Sequence, residues 1–162
     1  LFALGEWLGA HVPEPGVPAV IHGDYHLDNT LASPLEPQIL AIIDWELATV
    51  GDPYMDVALM LMFWGEYRTQ QPPAFTALQS VSRRSGVISR RELAGRWSES
   101  VGRPLHHMNF YMALAFWRLA AIIEGAYGLF VAGQLTTDYA RGLEYDVPAL
   151  LAEAERAAKG DW

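Results

Sequence analysis

The sequence predicts a mainly helical α+β fold in which a few short strands carry polar loops. Apolar residues recur at helical spacing near the start of the chain and over most of its second half. Short apolar runs at 19–21, 30–32 and 39–43 are flanked by turn-forming residues, which is typical of strands. Neither an internal repeat nor a domain boundary is evident, so we expect residues 1–162 to form a single domain.

Local signals place the helices and turns of the first half. A helix is predicted over residues 1–12 and ends at the turn rich in Pro and Gly that follows. The connection between the second and third strands contains two prolines, which favours a hairpin. Asp52 and Pro53 are a favoured pair of N-cap and first helical residue. The next helix is therefore expected over about 54–67, followed by a loop over 69–76.

Two further helices are marked by their ends. Ser89 and Glu92 form a capping box, which predicts a helix that ends near residue 101. The last helix is expected to begin after residue 136 or 137. Because a proline within 146–148 would remove a helical hydrogen bond, this helix is predicted to break there and to resume up to residue 159.

The most apolar segment of the chain predicts a long helix over residues 105–131. Arg118 and Glu124 lie near its middle, where the interior of a bilayer would penalise their charges. We therefore interpret the segment as a core helix of a protein that does not enter a membrane, although its length is sufficient to cross one.

Composition narrows the classes of function. The 51% hydrophobic content and 19% charged content are typical of a globular protein. Because the chain has no Cys, disulfides and cysteine-ligated zinc are excluded, and a reducing compartment is favoured. The net charge of −8 argues against a general affinity for nucleic acids or anionic membranes. No basic signal-type segment follows Leu1, so a cytoplasmic location is expected.

The most informative feature is the polar segment 22–29 (HGDYHLDN), followed at 42–46 by IIDWE. Asp24 and Asn29 stand five positions apart, and Asp44 follows fifteen residues after Asn29. In phosphoryl transfer, an aspartate orients the attacking hydroxyl while an Asn and a second Asp hold magnesium on the nucleotide phosphates. Amide and carboxylate oxygens are the hard ligands that Mg²⁺ prefers. The pattern therefore predicts Asp24 as the catalytic residue and Asn29 and Asp44 as metal ligands.

Three neighbouring residues receive supporting assignments. His22 stands at the end of an apolar strand and is interpreted as an organiser of the polar loop. Asp56, in the first turn of the helix predicted after Pro53, is expected to accept backbone N–H groups of that loop. Glu46 follows Asp44 by two residues and is a candidate contact to substrate or metal.

These segments resemble the catalytic and metal loops of the aminoglycoside phosphotransferase and choline kinase-like family, which has a protein-kinase-like fold. The matching positions are 22–24, Asn29, 43–46, 51–53 and Asp56. The resemblance implies the C-terminal lobe of that fold, with small β-hairpins carrying the catalytic and metal loops. It also implies Mg²⁺ as cofactor, ATP or GTP as phosphoryl donor and a small-molecule hydroxyl as acceptor.

The chain departs from this family in what precedes the catalytic loop. It contains neither a Gly-rich phosphate-binding loop nor a lysine before that loop, and its sole lysine is Lys159. The N-terminal nucleotide-binding lobe is therefore expected to be absent, and the chain to be a fragment of a longer kinase or a truncated product. We expect negligible turnover from the chain alone and self-association through its exposed interlobe face.

Other interpretations remain open at this level. The chain could be a catalytically silent kinase-like binding module, because the phosphate-binding lobe is missing. A metal-dependent hydrolase using His22, Asp24 and His26 is a further alternative, since alternating Asp and His side chains ligate dinuclear sites. A solvated loop without chemistry would also place single acidic residues here. The identity of the acceptor is not specified by the sequence.

Overall fold

Five helices and four short strands form the described structure, a computed structural model that covers residues 1–65 and 80–162. The helices are α1 (Phe2–Ala10), α2 (Tyr54–Met62), α3 (Arg90–Val101), α4 (Met108–Val131) and α5 (Asp138–Ala158). The strands are β1 (Ala19–Ile21), β2 (Thr30–Ala32), β3 (Ile39–Ile42) and β4 (Thr49–Gly51), with short 3₁₀ turns at Leu27–Asn29 and Trp45–Leu47. The prediction of a mainly helical α+β fold with small hairpins is confirmed.

The strands form two separate antiparallel pairs. β1 pairs with β4, with Val20 opposite Val50, and β2 pairs with β3, with Thr30 opposite Ile42. The first three strands lie where they were expected, whereas β4 was not predicted. Its three residues are too few to show alternation, and Gly51 disfavours a strand locally. β4 forms because it satisfies the backbone groups of β1, a long-range pairing that local sequence does not encode.

Helix α4 occupies the centre of the fold and packs against α1, α2 and α5. Nine of its 24 residues are buried, and Phe116 and Met112 are fully enclosed. Their contacts join Leu61 of α2 and Leu143 of α5 in one hydrophobic core. By length and apolar composition alone α4 could cross a bilayer, and among the described residues it is the one helix with that property.

The prediction that the last helix breaks at 146–148 is wrong. Helix α5 continues through Pro148 without interruption. Pro148 has no N–H to donate one turn back, but Val147 and Leu150 on either side of it are buried in the core shared with α4. Tertiary packing on both sides of the proline therefore outweighs the lost hydrogen bond.

The starts and ends of the other helices differ modestly from the predictions. Helix α2 ends at Met62 rather than near residue 67, and Gly65 turns the chain with φ 85°. Residues 63–65 of the predicted helix form a turn, and its last two positions and the predicted loop over 69–76 lie outside the described residues. Helix α4 begins at Met108, because His107 adopts a left-handed conformation with φ 53°.

The start of α3 is capped as expected, whereas α2 begins at Tyr54 with Pro53, rather than Asp52, in the N-cap position. The capping box of α3 is present, with the Ser89 hydroxyl accepting the N–H of Glu92 and the Glu92 carboxylate accepting that of Ser89. The hydroxyl also donates to that carboxylate, and these hydrogen bonds hold the pKa of Glu92 below its usual value. The carboxylate of Asp52 still accepts the N–H of Tyr54, the first residue of α2, at 3.0 Å.

Candidate active site

The two antiparallel strand pairs bring the polar loops close to one another. Residues 22–29 follow β1 and lead into β2, while Asp44 lies two residues after the end of β3. The backbone N–H of Ile43 donates to the carbonyl of Asn29 at 2.9 Å. Pairing of β2 with β3 therefore brings the chain next to Asp44 into direct contact with Asn29.

Asn29 is hydrogen-bonded directly to Asp24. The Asn29 side-chain amide donates to the Asp24 carboxylate Oδ2 at 3.0 Å and to the Asp24 backbone carbonyl at 2.8 Å. Asn29 is buried, so this geometry is fixed by its surroundings. Because the NH₂ group is directed at Asp24, the Asn29 Oδ1 atom remains available as a ligand.

Asp44 has an unusual backbone conformation. It adopts left-handed dihedral angles, φ 65° and ψ 54°, at the turn between β3 and the 3₁₀ segment Trp45–Leu47. Non-glycine residues are uncommon in this region, and they occur often at functional sites. The Asp44 side chain is exposed and has no hydrogen-bond partner within residues 1–65 and 80–162. Glu46 is likewise exposed, in the same 3₁₀ turn.

The imidazole of His22 bridges the two loops. Its Nε2 lies 2.8 Å from the carbonyl oxygen of Ile43, and its Nδ1 accepts the backbone N–H of Asp24 at 3.2 Å. The ring is 2% exposed and lies 4.7 Å from the Trp45 ring, centroid to centroid. Both ring nitrogens are thereby committed to backbone groups, so His22 has no free nitrogen with which to ligate a metal.

Asp56 fixes the backbone at the start of the same loop. Its two carboxylate oxygens accept the N–H groups of His22 at 2.6 Å and Gly23 at 2.9 Å. The donors belong to the loop and the accepting carboxylate belongs to a helix. Such charge-assisted hydrogen bonds are stronger than neutral ones. Helix α2 therefore holds the first two residues of the polar loop through a single side chain.

Gly23 lies against the backbone of Leu47. Its φ is 83°, and a Cβ atom at this position would lie 2.5 Å from the carbonyl oxygen of Leu47. The Gly23 carbonyl accepts a hydrogen bond from Nη1 of Arg118, in α4, at 2.9 Å. A clue to this contact exists in the sequence, because Arg118 is a charge within an apolar helix, but no local pattern names its partner.

His26 lies between two carboxylates. Its Nε2 is 3.4 Å from Asp24 Oδ2 and its Nδ1 is 3.9 Å from Asp28 Oδ2, and the ring packs on Phe63 at 4.8 Å. Within the part of the chain that the structure describes, no group of three or more His, Asp or Glu side chains is arranged to hold a metal. This geometry gives no support to the hydrolase alternative.

A mainly apolar cavity of about 400 Å³ lies between α2 and α3, beside the polar loop. Tyr25, the residue after Asp24, forms part of its wall, together with Met60 of α2. Helix α3 contributes Leu93, Trp97 and the charged Arg96. The cavity offers apolar surface with one cation, next to the candidate catalytic residue along the loop.

Comparisons with known proteins found a matching family model and a similar fold. A model of the phosphotransferase enzyme family matches residues 2–86, just over half of the chain. A crystal structure from Ralstonia eutropha JMP134, provisionally named an aminoglycoside phosphotransferase, superposes with a TM-score of 0.77 at 30% identity. The superposition covers 98% of this chain and 48% of that one.

Two similar proteins carry a different name. Acyl-CoA dehydrogenase family member 10 of Mus musculus is 33% identical over 137 residues, and family member 11 of Homo sapiens is 33% identical over 138 residues. These matches cover 82% and 83% of this chain but only 12% and 17% of the relatives. The chain thus corresponds to a small part of much longer proteins.

Proposed function

Because the chain belongs to the phosphotransferase enzyme family and has a kinase-like fold, we propose that it transfers the terminal phosphoryl group of ATP, or of another nucleoside triphosphate such as GTP, to a hydroxyl of a small molecule. The observation that carries the proposal is the bond from the Asn29 amide to the Asp24 carboxylate, beside the strand end that bears Asp44. A candidate base is thus hydrogen-bonded to one candidate ligand, Asn29, and the second candidate ligand, Asp44, follows the residue whose N–H donates to the Asn29 carbonyl.

Asp24 is the catalytic residue in this proposal. A carboxylate within hydrogen-bond reach of the acceptor hydroxyl aligns the oxygen for attack and takes its proton as the bond to phosphorus forms. The amide of Asn29 orients the carboxylate through Oδ2, which leaves Oδ1 of Asp24 to accept from the hydroxyl. His22 and Asp56 hold the backbone on which Asp24 is carried.

The available side chains fit a divalent cation. Asn29 Oδ1 and the Asp44 carboxylate would hold Mg²⁺, and both oxygens are free of protein donors among the described residues. The ion, when bound, neutralises charge on the nucleotide phosphates. Glu46, exposed close to Asp44, is proposed as a further contact to substrate or metal.

The nucleotide-binding lobe is proposed to come from sequence upstream of Leu1. The chain covers 48% of the superposed phosphotransferase and has no Gly-rich loop and no lysine ahead of residue 22. We expect the 162-residue chain alone to turn over at a negligible rate, because no phosphate-binding element is provided before the catalytic loop.

For the acceptor, we propose a hydroxyl carried on an acyl group. The relatives carry the name acyl-CoA dehydrogenase, and the cavity beside Tyr25 has a mainly apolar wall that suits a hydrocarbon chain. Arg96 in that wall would attract an anionic group and repel the amines of an aminoglycoside. The name of the superposed crystal structure makes an aminoglycoside the competing acceptor.

The test is a product assay on the polypeptide extended upstream to include the nucleotide-binding lobe. ATP, Mg²⁺ and a panel of hydroxyacyl-CoA thioesters, an aminoglycoside and choline are incubated with wild type and with Asp24→Asn, and phosphate esters are detected by ³¹P NMR. We expect a new ester only with a hydroxyacyl compound and only with wild type. An ester on the aminoglycoside alone would overturn the acceptor assignment, and nucleotide binding without any ester would favour the silent binding module.

A further inference from the structure

Arg118 extends from the central helix α4 to the polar loop, 95 positions away in sequence, and donates to the carbonyl oxygen of Gly23 at 2.9 Å. Other polar side chains of α4 likewise bond outside the helix. Trp117 donates to the backbone of Leu1, and Tyr111 donates to Asp52. The Arg118 contact differs because its acceptor belongs to the residue immediately before Asp24.

The carbonyl of Gly23 and the N–H of Asp24 belong to one planar peptide unit. Arg118 holds the carbonyl end, and His22 Nδ1 accepts from the N–H end at 3.2 Å. A bond at each end fixes the rotation of the whole unit, and that rotation sets the direction in which the Asp24 side chain leaves the backbone.

The hydrogen bond from Arg118 matters for the loop backbone because its acceptor is a glycine. With φ at 83° and no Cβ, the residue is the most permissive hinge in the loop, and it has no side chain to restrain its backbone. Asp56 restrains the N–H of Gly23, which belongs to the preceding peptide unit. Among the described residues, the orientation of the following unit depends on the contacts of Arg118 and His22.

We propose, resting on the proposed phosphotransferase function, that Arg118 is a positioning residue that orients the catalytic Asp24 by clamping the Gly23–Asp24 peptide. A guanidinium is always charged and forms a stronger bond to a carbonyl than a neutral donor does. Its loss therefore disturbs the alignment of the acceptor hydroxyl and leaves the nucleotide contacts in place.

The kinetic test, in the polypeptide extended upstream, compares Arg118→Met, which keeps an unbranched apolar side chain and loses every donor, with Arg118→Lys, which keeps a charged donor group. Arg141→Met is the matched control, because Arg141 is 71% exposed and pairs with Asp138 on the surface of α5. For Arg118→Met we expect kcat to fall by about 10- to 100-fold with KM for MgATP within about twofold, since small misplacements are costly. Arg118→Lys should be intermediate and Arg141→Met unchanged. A kcat above half of wild type for Arg118→Met would overturn the proposal.

A second measurement is independent of catalysis. Amide hydrogen exchange, followed by NMR, should accelerate at Asp24 in Arg118→Met while amides within α2 and α4 keep their wild-type rates. Faster exchange throughout α4 would instead show a general role in stability and would contradict the positioning role. If Arg118→Met does not fold, kcat and amide exchange measured on Arg118→Lys decide whether Arg118 orients the Gly23–Asp24 peptide.

Failure of the clamp and failure of the proposed function are distinguishable. If wild type and Asp24→Asn are equally inactive with every acceptor, the phosphotransferase proposal fails, and exchange at Asp24 still decides whether Arg118 holds the peptide. If wild type is active and Arg118→Met matches it in kcat and in exchange, the clamp fails and the function stands.

Discussion

At the residue scale, Gly23 is the position where the demands on the backbone are greatest. Its positive φ and its approach to the Leu47 carbonyl leave no room for a side chain. We predict that Gly23→Ala lowers the free energy of unfolding by about 1–3 kcal/mol, because the left-handed conformation and the 2.5 Å contact both oppose a methyl group. Chemical denaturation measures this change.

The matched control is Gly95→Ala. Gly95 lies inside α3 without a positive φ, and a methyl group added there would meet no atom within 4 Å among the described residues. Alanine should therefore stabilise that helix by up to about 1 kcal/mol. Equal effects of the two substitutions would contradict the conclusion that Gly23 is conformationally required.

Asp146 leads to a prediction about pH. It is fully buried in α5, neither of its carboxylate oxygens has a hydrogen-bond partner among the described residues, and burial raises its pKa to about 6. Between about pH 4 and pH 6 the unfolded chain releases this proton while the folded protein retains it. Stability should therefore be highest below about pH 4 with respect to this group, and should be lost as the pH rises through 6.

The measurement is the free energy of unfolding of wild type and Asp146→Asn from pH 4 to pH 7. The difference between the two proteins should shift by about 2 kcal/mol in favour of Asp146→Asn over this interval, because the amide does not titrate. Parallel pH profiles would show that Asp146 ionises in the folded protein as readily as in the unfolded chain.

The residue scale also shows what the sequence encodes about the site. Residue types and spacing identify three candidates, Asp24, Asn29 and Asp44, because they occur in two short polar segments that follow predicted strands. Arg118 is not identified in this way, because its acceptor is a backbone carbonyl 95 residues away. Such a contact depends on how α4 packs, and no periodicity or motif reports it.

At the element scale, α5 provides the sharpest test of tertiary packing against local propensity. Pro148 lies inside a continuous helix, where it removes one hydrogen bond. We predict that Pro148→Ala raises the free energy of unfolding by about 1–3 kcal/mol, because the helix regains that bond without losing its core contacts. Pro148→Gly, the control, should gain about 1 kcal/mol less. Destabilisation by Pro148→Ala would show that the proline ring itself contributes to packing.

The start of a helix with a local capping signal was predictable, whereas strand β4, which depends on a long-range pairing, was not. The capping box at Ser89 marks the start of α3 correctly, and the predicted cap at Asp52 places the start of α2 one residue too early. Strand β4 exists only through its pairing with β1, so its three residues carry no signal of their own. Asp52 also accepts the hydroxyl of Tyr111 at 2.7 Å, and burial together with this bond raises the pKa of Tyr111. That second role of Asp52 depends on α4 and was missed.

At the scale of the whole molecule, the hairpins present apolar side chains to solvent. Val20 and Val50 lie opposite each other on β1 and β4 and are 72% and 70% exposed. We predict that the chain alone self-associates through this surface, since exposed apolar patches favour association. Sedimentation velocity should show a concentration-dependent dimer that the Val20→Thr, Val50→Thr double variant weakens while keeping strand propensity. A monomer at every concentration would contradict this prediction.

The proteins that this chain resembles are much longer than the chain itself. It corresponds to 12% and 17% of two proteins that carry a dehydrogenase name, and to 48% of a superposed phosphotransferase. The fold-level expectation from sequence was correct, because hydrophobic periodicity determines which segments become helices and hairpins. That a nucleotide-binding lobe completes the chain stays a prediction, because the lobe would lie outside these 162 residues.

The most direct measurement is kcat for phosphoryl transfer by Asp24→Ala, Asn29→Ala and Asp44→Ala in the extended polypeptide, across a Mg²⁺ titration. Asp24→Ala and Asp44→Ala should each lower kcat by more than about 100-fold, and Asn29→Ala should raise the Mg²⁺ concentration required. A loss below about tenfold in all three, equivalent to about 1.4 kcal/mol each, would contradict a shared phosphoryl-transfer site.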